Sequence, residues 1–333
     1  MIPRRFIIFS IFVIYPVFAL SAADFFNGNI RLSLNEKSGS ISLYYMTDPI
    51  SKKYEPLFYS REPKSSYFSV NLDGKVYRLD QSGGYFRTRT ENIEGNPVVV
   101  YESQSVTIRE IFTPIKTVNS DEINGINITV VIQNNGKKAI PVGLRFLIDT
   151  HLGEGRKSIP ISTSNQSIEK ETVIEGSSGE KYWISKDSNS NLSLMGSIVN
   201  PFDKSAKIPD YIHIANWRRL NNVLWKLKFS QGRSFNVFPY SVRDSAVCYY
   251  YEPSMLEADK TFTYSISLST EDAALFDPNF NPELMGSYDD STLQMLYRLK
   301  KTLEQFIAGD IILYENDLDE IENSIDSHKK GNR

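Results

Sequence analysis

Reactive side chains are scarce in this chain. Among its 333 residues there are one cysteine and three histidines. A single cysteine excludes an internal disulfide, so stability must come from burial of a core. Cys248 lies in the apolar stretch 246–251, where no neighbour in sequence would lower its pKa. We therefore expect an inert, buried thiol rather than a nucleophile.

Common catalytic and nucleotide-binding motifs are missing as well. The sequence contains no Gly-x-Ser-x-Gly elbow and no His-Glu-x-x-His helix. Residues 153–158 have the wrong glycine-to-lysine spacing for a phosphate-binding loop. The net charge of -3 comes without the clustered basic face that nucleic-acid binding needs. We expect no cofactor, no metal and no nucleic-acid partner, and the sequence favours a protein that is not an enzyme.

The N-terminus has the pattern of a secretory signal peptide. Arg4 and Arg5 precede an uncharged run over residues 6–20, and small residues follow up to Ala23. This predicts a signal peptide over residues 1–23 and export to the periplasm, with Asp24 as the first mature residue. An uncleaved anchor is the alternative, because the apolar run approaches the ~18 residues that can span a bilayer.

Alternating apolar and polar residues dominate from residue 28 to about 270, which is typical of antiparallel sheet. Residues 30–34 and 40–44 predict one hairpin, and residues 68–72 and 75–79 predict another around Asp73-Gly74. We expect a mainly β protein, a large antiparallel two-sheet sandwich or supersandwich over residues 24–276. Further strands are predicted at 98–101, 106–112, 126–132, 142–148, 182–184, 192–198, 211–215, 223–229, 246–251 and 262–268.

The pattern becomes helical near the C-terminus. Residues 277–288 contain a breaker-rich linker, and residues 289–328 predict a coiled-coil-like helical segment. Its last part carries an apolar stripe at three- and four-residue steps, formed by Ile311, Tyr314, Leu318, Ile321 and Ile325. The stripe suits docking to another protein chain, and packing on the protein's own sandwich is the alternative.

Asp149, His151 and Glu154 form the most enzyme-like cluster of the sequence. In a strand, Asp149 and His151 point to the same face, and the following loop could bring Glu154 alongside. One histidine with two carboxylates is a weak metal signal, however. We favour a structural corner in which Asp149 caps backbone amides and the glycines at 153 and 155 permit an unusual turn.

Aromatic residues keep a carbohydrate interpretation open. Trp217 and Trp225 are candidates for stacking on sugar rings, and Trp183 and the tyrosines at 249–251 could stack in the same way. The alternative is that these side chains fill the sandwich core, since aromatics are favoured strand residues.

Two stretches resemble a bacterial exported β-sandwich family. Residues 142–153, VGLRFLIDTHLG, match its VGxRxxxDTxLG segment, and residues 209–217, PDYIHIANW, are similar to its second half. The resemblance implies the fold and export, and it supplies no catalytic residues. Relatives often continue the first motif with Asn-Asp. Here Gly155 and Arg156 stand instead, which would remove an acidic ligand if one were used there.

The overall organisation also resembles, more loosely, spirochaetal periplasmic proteins of the flagellar-collar type, through an Ile/Asn/Ser/Lys-rich β domain with an acidic helical tail. The leading prediction is a non-enzymatic periplasmic scaffold that docks to protein partners in a larger assembly, such as the flagellar collar, and is peripheral to the membrane. The alternative is a carbohydrate-binding or glycosidase-like protein that uses aromatic residues on a sandwich face.

Overall fold

A computed structural model describes residues 22–270, with gaps at 60–64, 82–83, 117–121, 151, 153–160, 164, 188–191, 201–202, 204 and 236–243. Most of the predicted signal peptide, the linker 277–288, the helical segment 289–328 and its apolar stripe lie outside the described residues. Within the described ranges, no helix is long and apolar enough to cross a membrane.

The described chain is almost entirely β structure, as the alternation predicted. Its one helix is α1 (Trp217–Asn221). The strands are β1 (Ala22–Asn27), β2 (Ile30–Asn35), β3 (Ile41–Asp48), β4 (Lys53–Pro56), β5 (Tyr67–Leu72), β6 (Lys75–Arg78), β7 (Arg87–Ile93), β8 (Asn96–Glu102), β9 (Val106–Lys116), β10 (Ile123–Asn134), β11 (Ile140–Asp149), β12 (Ile161–Thr163), β13 (Ser167–Ile168), β14 (Thr172–Glu175), β15 (Tyr182–Lys186), β16 (Ser193–Ser197), β17 (Tyr211–Asn216), β18 (Ser245–Leu256) and β19 (Thr261–Ser269).

The strands form three antiparallel sheets. Sheet I has four strands in the order β1-β2-β3-β4, and sheet II has nine in the order β13-β12-β15-β16-β19-β10-β9-β8-β7. Sheet III has six strands in the order β14-β17-β18-β11-β5-β6. Neighbours such as β11 and β18 are far apart in sequence, so register between them is fixed by burial of matching faces rather than by short turns.

One contiguous apolar core holds the sheets together as a β-sandwich. It joins Leu32 of sheet I, Phe112 of sheet II and Phe146 of sheet III. The residues that follow sheet I are also tied to the end of β11, where the backbone N–H of Tyr59 donates to the carbonyl of Asp149 at 3.0 Å. Each sheet therefore buries one face in a shared interior, which is how a sandwich satisfies its apolar strand faces.

The hairpin turn predicted from Asp73-Gly74 is confirmed. Asp73 and Gly74 form the predicted tight turn between β5 and β6, with φ angles of 51° and 80°. A type I′ turn requires positive φ at both positions, which asparagine, aspartate and glycine tolerate best.

The strand predicted at residues 223–229 is wrong. These residues form an irregular segment, although half-buried and exposed side chains alternate along them. The segment has a period of two because it lies on a sheet surface, with one side of the chain inward. It belongs to no strand ladder, so the pattern alone could not distinguish it from a strand.

Candidate functional site

The face of sheet III that points away from the shared core carries several buried polar side chains. Strand alternation in β11 sends Leu144, Phe146 and Ile148 into the core, and it sends Arg145 and Leu147 to the other side. We call this second side the outer face. It also receives alternate residues of β5, β17 and β18, namely Tyr67, Ser69, Asn71, Tyr211, His213, Cys248, Tyr250 and Glu252.

Residues 217–235, which we call the covering segment, lie over this face. The segment begins at α1, whose N-terminus is capped by the side chain of Asn216 accepting from the amide of Arg218 at 3.0 Å. The indole N–H of Trp217 donates to the carbonyl of Ser65 at 2.9 Å. The Tyr67 hydroxyl donates to Oδ1 of Asn221 at 2.8 Å. These bonds tie the first turn of the segment to β5 and the residues before it.

The buried carboxylate of Glu171 holds the segment at two points, one in α1 and one near its far end. The Glu171 carboxylate lies 2.9 Å from Nη2 of Arg219 and 3.1 Å from Nε2 of His213, and it accepts the amide of Ser230 at 2.8 Å. Burial lowers the pKa of His213, although the adjacent carboxylate opposes the shift. Glu171 therefore links β17 beneath the segment to two points on the segment itself.

Arg145 lies at the centre of the outer face with its side chain only 1% exposed. Its Nη2 donates to the carbonyl of Leu220 at 2.7 Å, and its Nε donates to the Tyr250 hydroxyl at 3.4 Å. Both partners are neutral. A guanidinium that loses its hydration on burial is usually compensated by a carboxylate or phosphate.

Two polar atoms beside Arg145 are buried without a hydrogen-bond partner among the described residues: Oγ of Ser69 and Oδ1 of Asn71. In the β5–β11 register, Ser69 is opposite Arg145 and Asn71 is opposite Gly143. The side chain of Ser69 is 0% exposed and that of Asn71 is 8% exposed. Each such atom costs about 1–3 kcal/mol when no partner replaces water, so a pair of them on one face calls for a functional explanation.

Trp225 lies over the backbone at Gly143. A Cβ at residue 143 would be 3.0 Å from Cζ2 of Trp225 and 2.9 Å from the carbonyl oxygen of Tyr251, so this close approach needs glycine. The indole also meets Tyr250 edge to face, with ring centroids 6.2 Å apart. Trp225 is thus a half-buried aromatic wall beside the unpartnered polar atoms.

Glu252 completes the site on the other side of Trp225. It accepts from the Tyr211 hydroxyl at 3.0 Å, from Nζ of Lys226 at 3.0 Å and from the Trp225 indole at 3.5 Å. Burial acts to raise the pKa of Glu252, but the hydrogen bonds from Lys226 and its neighbours outweigh it, and the pKa lies below its usual value. The group is an ionised, half-exposed hydrogen-bond acceptor next to aromatic rings.

The predicted polar corner is only partly within the described structure. Asp149 ends β11, buried, and its amide donates to Oγ of Ser66 at 2.9 Å. His151 and Glu154 lie outside the described residues. Among the described residues, no group of three or more His, Cys, Asp or Glu side chains is placed to hold a metal ion.

The aromatic candidates separate into two groups. Trp183 is fully buried, and its indole donates to the Tyr249 hydroxyl at 2.6 Å inside the core. Trp217 and Trp225 are both half-buried on the outer face, yet only Trp225 adjoins Gly143 and Glu252. Cys248 is buried on the same face, and burial raises the pKa of its thiol, in agreement with the expected inert cysteine.

Sequence reasoning missed Ser69, Asn71, Arg145 and Glu252. One signal was available for Arg145, which is the only charged residue between Ile140 and Ile148 in an otherwise uncharged strand. The others carry no local signal, because the site is assembled from strands about 75 to 180 residues apart in sequence.

No family model and no curated protein matches this chain. Solved structures are similar to it at low identity. A galactose mutarotase-like protein from Lactobacillus casei is 7% identical, with a TM-score of 0.48 over 75% of this chain and 100% of that one. One from Clostridium acetobutylicum is 9% identical, with a TM-score of 0.43 over 75% and 94%. A bacterial glucoamylase complexed with acarbose is 13% identical, with a TM-score of 0.41 over 80% and 34%.

These neighbours contradict the leading functional prediction. They are galactose mutarotase-like proteins and a glucoamylase, not structural proteins. The prediction of a non-enzymatic scaffold docked to protein partners is corrected accordingly, and the carbohydrate alternative is the one that the neighbours' descriptions match. At these identities and TM-scores, no site residue and no activity follow from the likeness. The function has to be argued from the outer face itself.

Proposed function

We propose that this protein binds carbohydrate on the outer face of sheet III, between Trp225, Glu252 and the unpartnered polar atoms of β5. The observation that carries the proposal is the pair of buried, unpartnered atoms, Oγ of Ser69 and Oδ1 of Asn71, beside a half-buried tryptophan. Small-ligand sites typically combine aromatic walls with a few fixed polar groups.

A sugar suits this arrangement because each hydroxyl both donates and accepts. A ligand hydroxyl can donate to Oδ1 of Asn71, which accepts only, and it can accept from the hydroxyl of Ser69. The apolar face of a pyranose ring can lie against the Trp225 indole. Glu252 adds an ionised acceptor, and charge-assisted hydrogen bonds are stronger than neutral ones.

Residues 224–226 are the part of the covering segment that would shift to admit a ligand, with the Trp225 indole remaining at the edge of the site as its aromatic wall. They belong to no helix or strand, and the side chain of Leu224 is 75% exposed. The flanking anchors at Asn221 and Ser230 keep the rest of the segment on the sheet. Few backbone hydrogen bonds would be lost on opening, which makes such a local movement inexpensive.

The first test is a glycan array with the chain from Asp24 onwards, followed by titration calorimetry with the tightest glycan. Trp225→Ala should weaken binding at least tenfold, about 1.4 kcal/mol, because it removes the stacking surface. Leu224→Ala is the matched control, since it shortens an exposed neighbour in the same segment and should leave affinity within twofold. The wild-type protein binding no glycan would overturn the proposal.

Trp217→Ala provides a second control that separates the two tryptophans. The Trp217 indole is bonded to the Ser65 carbonyl, so its loss should lower stability more than sugar affinity. Equal loss of affinity in the Trp217 and Trp225 variants would contradict the placement of the site at Trp225.

A further inference from the structure

The carbohydrate proposal leaves open which class of sugar is bound, and Arg145 bears on that question. Three other cations on or beside the outer face have carboxylate partners: Arg78 with Asp80, Arg219 with Glu171, and Lys226 with Glu252. Among the described residues, no carboxylate lies within ion-pair distance of Arg145. Its hydrogen bonds go to a backbone carbonyl and a phenol.

The groups around Arg145 are themselves neutral. Burial raises the pKa of the Cys248 thiol and that of the Tyr250 hydroxyl above their usual values, so neither supplies a negative charge at pH 7. Tyr67 adds only the face of its ring, whose centroid lies 6.0 Å from Cζ of Arg145. The buried positive charge at the centre of the face is thus uncompensated by its surroundings, which is costly in an unliganded protein.

Arg145 lies next to the proposed sugar site. Arg145 is opposite Ser69 across the β5–β11 pairing and opposite Tyr250 across the β11–β18 pairing. Gly143, which Trp225 covers, is two residues away on the same face of β11. A ring held by Trp225 and Asn71 would therefore have Arg145 within reach of one substituent. The planar guanidinium matches the two oxygens of a carboxylate, which it binds in a bidentate manner.

We infer that the sugar bound on this face is acidic, a uronic acid whose carboxylate pairs with Arg145. This rests on the proposed carbohydrate-binding function and narrows it to a ligand class. Such a carboxylate replaces a neutral partner of Arg145, the Leu220 carbonyl or the Tyr250 hydroxyl. Its charge compensates the buried guanidinium, while the ring hydroxyls satisfy Ser69 and Asn71.

The test compares oligosaccharides of galacturonate, mannuronate and glucuronate with their methyl esters, which keep the ring and lose the negative charge. Titration of the chain from Asp24 onwards should show at least one free acid bound tenfold or more tightly than its ester. Arg145→Met should abolish that preference while the ester still binds. Arg145→Lys, which keeps the charge and loses the planar fork, should retain part of it.

Arg218→Met is the matched control, because Arg218 is exposed on α1 and should leave the preference unchanged. Should the methionine variant fail to fold, the comparison of acid and ester in the wild-type protein decides the question by itself. Binding of neutral glycans or esters as tightly as acids would overturn the inference and leave the carbohydrate function standing. Binding of no glycan of any kind would instead overturn the carbohydrate function.

Discussion

Replacing Glu171 with alanine should lower the free energy of unfolding by about 3–5 kcal/mol, the usual cost of breaking a buried pair by removing one partner. The side chain of Glu171 is 1% exposed, and that of Arg219 is 14% exposed. Without the carboxylate, Arg219 loses its ion pair, His213 loses its hydrogen-bond partner and the amide of Ser230 loses its acceptor. Urea unfolding monitored by tryptophan fluorescence measures the loss.

The same substitution should release the covering segment locally. Amide hydrogen exchange at Ser230 should accelerate more than exchange in β18, because only the first loses its direct partner. Glu175→Ala is the matched control, since it removes an exposed carboxylate four residues away on β14 and should change stability by less than about 0.5 kcal/mol. A loss below 1 kcal/mol for Glu171→Ala would contradict the role of Glu171 as the anchor.

Replacing Glu110 with glutamine should stabilise the protein, and the gain should grow with pH. The side chain is buried in the core, and its Oε1 has no hydrogen-bond partner among the described residues. Burial raises the pKa of Glu110 well above its ordinary value of 4.5, and nearby Asp80 adds to the rise. The Tyr101 hydroxyl, 3.3 Å from Oε2 of Glu110, opposes the shift without cancelling it.

The direction of the pH effect follows from proton binding in the two states. Between pH 4.5 and the raised folded pKa, the folded protein keeps the proton on Glu110 and the unfolded chain does not. Stability due to this group is therefore fully present below about pH 4.5 and is lost as pH rises, by up to about 1.4 kcal/mol per pH unit. Glutamine does not titrate, so the variant escapes this loss.

Denaturant unfolding of both proteins at several pH values between 4.5 and 8 checks this expectation. His213, whose lowered pKa makes stability fall as pH drops below about 6.5, contributes equally to both proteins and cancels in the difference. Glu257→Gln is the control on an exposed glutamate. A stability difference between Glu110→Gln and wild type that stays constant with pH would show that Glu110 titrates normally in the folded protein.

The sequence predicted what local patterning controls. Alternation located most of the major strands, and Asp73-Gly74 specified a hairpin turn through its backbone preferences. The two-residue period of β11 likewise places Arg145 and Leu147 on the face opposite Phe146. Signal peptide, periplasmic location, C-terminal helices and the family resemblance remain predictions.

Tertiary structure decided the rest, beginning with the segment at 223–229. Its alternation was real, but a strand also needs a neighbour to accept its hydrogen bonds, and local sequence does not state whether one exists. Which tryptophan lies in the core and which lies on the outer face was likewise decided by the tertiary structure. Trp183 packs into the core against Tyr249, whereas Trp225 lies over a glycine on the opposite face.

The candidate site depended on tertiary structure most of all. The sequence by itself determined an antiparallel β protein and the face on which Arg145 lies, because both follow from a two-residue period. It could not determine that Ser69, Asn71 and Glu252 share that face, nor that a segment covers Arg145 without giving it a counter-ion. Those facts depend on which distant strands pair and on what is buried between them, and no local pattern encodes them.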